Sequence, residues 1–90
     1  MTKYLPLREH LESRPEAETE TSLSFARVEG IIGDTLPASS RKYREWWANE
    51  SRGSHVQAKA WLEAGWMVES VNLRGQTVTF ARQRRSSPAG

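Results

Sequence analysis

Residues 36–49 read Leu36-Pro37-Ala38-Ser39-Ser40-Arg41-Lys42-Tyr43-Arg44-Glu45-Trp46-Trp47-Ala48-Asn49. Pro37 suits the first position of a helix, where a missing N–H costs least. The spacing predicts a short helix over 37–45 in which Ala38 and Tyr43 are the core contacts. Ser39, Ser40, Arg41, Lys42 and Arg44 are then left to water or a partner. Small side chains at a helix start let its N–H groups approach a phosphate, and serine and arginine reach phosphates and base edges. Trp46 and Trp47 are adjacent. In an extended segment they point to opposite faces, one into the core and the other either under the hairpin or at the surface.

Working backwards, Ser24 is the N-cap of a preceding helix, with Leu23 and Val28 forming a hydrophobic staple. Phe25, Val28, Ile31 and Ile32 give it a buried face. Gly33 fits the left-handed position after it. A helix, a tight turn and a basic helix make a helix-turn-helix unit. Upstream, Tyr4, Leu7 and Leu11 recur at helical spacing in a helix over about 3–13, capped by Thr2. His10 lies beside that stripe as a surface or half-buried histidine. Residues 14–22 are polar and acidic and are expected to be a mobile loop.

Working forwards, Asn49 begins a turn, and Ser54-His55-Val56-Gln57 reads as a capping box opening a fourth helix. Its stripe is Ala58, Trp61 and Leu62, and Gly65 ends it. His55 and Lys59 share another face. Two strands follow, residues 66–73 and 76–82, joined at Arg74-Gly75 with the glycine supplying positive φ. Val78 and Phe80 alternate inward. Trp66 and Val68 are out of phase with Val71 and Leu73, so a bulge is expected near Glu69-Ser70. Arg74 stands at the hairpin tip, where a wing meets DNA. Residues 83–90 are expected to be a disordered basic tail.

The reading is one α+β domain over residues 1–82, of winged helix-turn-helix type. It has four helices and a C-terminal hairpin, to which a strand-like Trp46–Ala48 segment could add a third strand. Ninety residues with four tryptophans and no cysteine allow a small aromatic core without disulfide staples or thiolate zinc sites. No cofactor or metal site is expected, no catalytic signature is present, and no small-molecule substrate is evident. No leader or membrane span is expected, and a cytoplasmic location is. The net charge of +2 hides an asymmetry. Residues 1–34 carry four basic and seven acidic side chains, and residues 35–90 nine and four. A basic half suits a polyanion.

The chain therefore reads as a small bacterial double-stranded-DNA-binding protein, a transcription regulator or nucleoid-type factor. Ser39, Ser40, Arg41, Lys42, Arg44, Asn49, His55, Lys59 and Arg74 are its contact residues. The alternative is a protein-interaction module of a phage-defence or toxin–antitoxin system, using the Trp46/Trp47 surface. A homodimer is compatible with both.

Taken together, four groups of residues carry a family resemblance. The first two are Tyr4-x-Pro6-Leu7-x-x-His10-Leu11 and Leu23-Ser24-Phe25-x-x-Val28-Glu29-x-Ile31-Ile32-Gly33. The third runs from Leu36-Pro37-x-Ser39-x-Arg41 to Trp46-Trp47-x-Asn49. The fourth is His55-x-Gln57-Ala58-x-Ala60-Trp61-x-x-Ala64-Gly65-Trp66-x-Val68. This resembles a widespread family of small bacterial and phage domains of unknown function, over residues 4–82. Ser40 stands where that pattern leads one to expect alanine. The resemblance supports the fold boundaries and carries no assigned activity.

Overall fold

A computed structural model describes residues 3–50 and 56–83. In chain order they form α1 (Leu5–Glu12), β1 (Glu20–Ser24), α2 (Phe25–Ile32), α3 (Ala38–Lys42), a 3-10 turn (Arg44–Trp47), α4 (Val56–Glu63), β2 (Trp66–Asn72) and β3 (Thr77–Arg82). The strands make an antiparallel sheet in the order β1-β3-β2. The α+β class with four helices and a C-terminal hairpin is as expected. The domain's third strand is not.

That strand comes from the polar stretch read as a mobile loop. Glu20 to Ser24 pair with β3, from Glu20 opposite Ala81 to Ser24 opposite Thr77. The sequence hides it because an edge strand with one solvated face needs few apolar residues. Leu23 is its one buried side chain. On the outer face the Ser22 and Thr79 hydroxyls are 2.8 Å apart. Arg82 ties the preceding turn to the sheet, donating to the carbonyls of Glu18 (3.0 Å) and Pro15 (2.9 Å) while lying over the Trp66 ring.

The local signals of α2 hold. The Ser24 hydroxyl accepts from the Arg27 N–H at 3.0 Å, and Gly33 sits at φ 69°. Tyr4, Leu7 and Leu11 are buried as the stripe predicts, though α1 begins at Leu5 with Tyr4 as its cap, and Thr2 lies outside the described residues. Gly65 adopts φ 88° after α4. The expected bulge is present, with Val68 opposite Phe80 and Ser70 opposite Thr79, so both Val68 and Val71 face inward.

Five other expectations need correction. The third helix stops at Lys42, because Tyr43 turns extended (φ −126°, ψ 125°) and the chain re-enters as a 3-10 turn carrying both tryptophans. Trp46–Ala48 is thus not a strand. Ala38 and Tyr43 are exposed, Tyr43 at 57%, and it is Ser40 that is fully buried. The hairpin loop spans 73–76, and its positive φ falls on Gln76 (53°) instead of Gly75. The Asn72 side chain explains this. Its Oδ1 accepts the Gly75 N–H at 2.9 Å and organises the loop. Lastly, Gln83 is not the start of a loose tail. Its backbone N–H donates to Gly65 and its amide to Trp66, joining the end of β3 to the α4–β2 corner.

The core is an aromatic stack. Trp47, 1% exposed, lies flat against Phe25 (5.0 Å between centroids) and Trp61 (5.9 Å). Trp61 reaches Phe80 at 5.6 Å, so the stack runs from α2 through α4 to the sheet. Trp46 is half-buried, edge-on to Tyr4 at 6.0 Å. Each such ring buries about 150–250 Å². This is how so short a chain assembles a core. The buried indole N–H groups are all satisfied: Trp47 by the Ser40 carbonyl (2.8 Å), Trp66 by the Leu11 carbonyl (3.0 Å) and Trp61 by Asn49 (3.0 Å).

Candidate nucleic-acid interface

The residues read as contacts for DNA do not form one open surface. Four of them are bonded within the fold, two at the α2–α3 turn and two on the edge of β2. Ser40 is sealed, its hydroxyl donating to the Pro37 carbonyl at 2.6 Å. Arg41 pairs with Glu29 at 3.1 Å and lies 5.8 Å from the Phe25 ring centre. Glu29 also accepts the Leu36 N–H at 2.9 Å. That bond, and then Arg41, holds its carboxyl below the usual carboxylate range. One acidic side chain thereby clips the α2–α3 turn at both ends.

Arg44 and Asn49 are spent on the open edge of β2. Arg44 donates to the Val71 carbonyl at 2.5 Å. The Asn49 amide copies a backbone peptide: its NH2 donates to the Val68 carbonyl (2.9 Å) and its oxygen accepts the Val68 N–H (2.7 Å). β2 is an edge strand, and Val68 and Val71 stand at the non-bonded positions of its ladder with β3, so their backbone groups face outward, where Asn49 and Arg44 occupy the edge as a neighbouring strand would. The expectation that the cations ahead of the paired indoles have no structural task therefore fails for Arg41 and Arg44. Both act through backbone or carboxylate partners far away in sequence, which spacing cannot reveal.

The rest behave otherwise. Ser39 is half-buried on α3. Lys42, Lys59 and Arg74 are exposed, and their side chains make no hydrogen bond or ion pair among the described residues. Lys59 sits mid-way along the exposed stripe of α4, between Val56 and Glu63. Arg74 is in the hairpin loop. His55 and the capping serine Ser54 lie outside the described residues. Gln57, the other half of that expected capping box, donates its side-chain amide to the Trp46 carbonyl at 2.9 Å.

His10 is half-buried, and its pKa is lowered, first by burial and then by the charges of Arg14 and Arg27. No group of three or more potential metal ligands occurs among the described residues. Among the described residues no helix is long and apolar enough to cross a membrane.

The architecture is an α+β domain of helices packed on a three-stranded antiparallel sheet. Over residues 4–84 the chain belongs to a family described as a domain of unknown function, DUF7662. No curated protein and no solved structure matches it.

Proposed function

We propose that this domain is a small regulatory or nucleoid-type protein that binds double-stranded DNA through α4 and the β2–β3 hairpin, as a winged helix-turn-helix does. The observation that carries the reading is the element order. One helix, an edge strand and further helices run straight into a hairpin, with the first strand beside the last. In that arrangement the helix entering the hairpin reads the groove and the loop serves as the wing. Lys59 and Arg74, whose side chains have no partners among the described residues, stand on those two elements. Lys42 adds a third free cation near the helix pair. The contact role passes from α3 to α4, because Arg41 and Arg44 are committed to Glu29 and Val71. The tryptophan pair offers no comparable surface for a protein partner, since Trp47 is sealed and Trp46 packs on Tyr4.

The test is a mobility-shift titration at two salt concentrations against random duplex and single strand. Three phosphate contacts give a slope of log K against log salt of roughly −2.7. Lys59→Ala with Arg74→Ala should cost at least about tenfold in affinity and flatten the slope by roughly 2, with the fold unchanged by circular dichroism. A folded double variant that retards duplex like the parent would refute the reading.

A further inference from the structure

The two edges of the sheet are treated differently. The β2 edge is closed by Arg44 and Asn49. The β1 edge has no proline, lysine or bulge, and its one charged residue, Glu20, stands at its start.

Its hydrogen-bond phase follows from the ends of the ladder. The Arg82 N–H donates to the Thr19 carbonyl and the Phe25 N–H to the Gln76 carbonyl. Antiparallel ladders alternate bonded and non-bonded pairs. Thr21 and Leu23 therefore turn their backbone groups toward β3, while Glu20 and Ser22 turn both of theirs outward and Ser24 only its N–H, its carbonyl being taken by the first turn of α2. Among the described residues nothing bonds the outward N–H and C=O groups of Glu20 and Ser22.

We propose that this edge pairs with the same edge of a second copy of the chain, antiparallel about a two-fold axis at Ser22, giving a continuous six-stranded sheet. The outward residues are spaced symmetrically about Ser22, so the register is self-complementary. Ser22 meets Ser22 of the other copy, and Glu20 meets Ser24. No like charges face each other. Within its own copy Glu20 is hydrogen-bonded to Glu69, and Ser24 opens α2, so this acidic pair lies beside the amino end of the other copy's helix, where negative charge is favoured. Arg27 on that first turn has no hydrogen bond from its guanidinium and no ion pair among the described residues. On the outer face the Ser22–Thr79 hydroxyl pair extends into a ladder of four. Five-residue edges make a small interface, so the pairing is weak, with a dissociation constant of about 10–500 μM.

Sedimentation equilibrium from about 5 μM to 1 mM, a span set by that range, tests it without any DNA. The parent should pass from monomer to dimer. The Glu20 and Ser22 amides should gain hydrogen-exchange protection as concentration rises. Ser22→Pro removes an N–H that β3 does not use, and should leave a folded monomer. Ser22→Lys sets two ammonium groups across the axis, and should weaken pairing at least about tenfold. A chain that stays monomeric over the whole range overturns the proposal. So does a folded Ser22→Lys variant with the parent's dimerisation constant. Should Ser22→Pro fail to fold, the lysine variant and the amide protection decide.

Discussion

Asn49→Ala removes a side chain that sits on the surface yet holds three groups of the interior. The deletion leaves the Trp61 indole N–H without an acceptor, on a residue that is fully buried. It also exposes the Val68 N–H and C=O on the open edge of β2, where no strand replaces the lost partner. A buried polar group left unsatisfied costs about 1–3 kcal/mol. The Trp61 N–H is charged in full. The Val68 groups are charged in part, because Asn49 is exposed and water can enter its place. The sum is about 2–4 kcal/mol, which in a domain of this size lowers Tm by roughly 10–25 °C. Urea unfolding followed by tryptophan fluorescence measures it. Trp61→Phe deletes the donor instead. In a double-mutant cycle the two changes should show a coupling of about 1 kcal/mol. An Asn49→Ala cost under about 0.5 kcal/mol, with no coupling to Trp61→Phe, would refute the assignment of Asn49 as the cap of the β2 edge.

Three further outcomes follow from the fold. Gly30 lies within α2, and a Cβ there would meet nothing within 4 Å. Gly30→Ala should therefore raise stability by about 0.5–1 kcal/mol in the same urea assay. Gly65→Ala, at φ 88°, should lower it. Glu69 is raised above the usual carboxylate range, first by a hydrogen bond with Glu20 and then by that neighbour's charge. A raised carboxyl contributes stability at low pH and loses it as pH rises through the folded value. Glu69→Gln should thus raise the urea midpoint at pH 7, with a benefit that shrinks toward roughly pH 4 as carboxyls protonate in both states. A benefit independent of pH would contradict the pairing.

The sequence by itself determined whatever depends on near neighbours. Helical spacing in Tyr4, Leu7 and Leu11, the Ser24 cap, the left-handed Gly33 and the phase break near Glu69-Ser70 are written within a few residues of where they act. Each appears in the structure in its place. Only the tertiary structure decided what the polar residues do. Glu20–Ser24 becomes a strand because β3, more than fifty residues away, offers a ladder, and one leucine suffices to anchor it. Arg41, Arg44 and Asn49 read as free contacts because a cation or an amide carries no mark of its partner. Glu29, Val71 and Val68 are found only when the chain has closed. Apolar periodicity is a property of one segment, whereas a hydrogen bond belongs to a pair. That is why the helices were legible, and the duties of the surface were not.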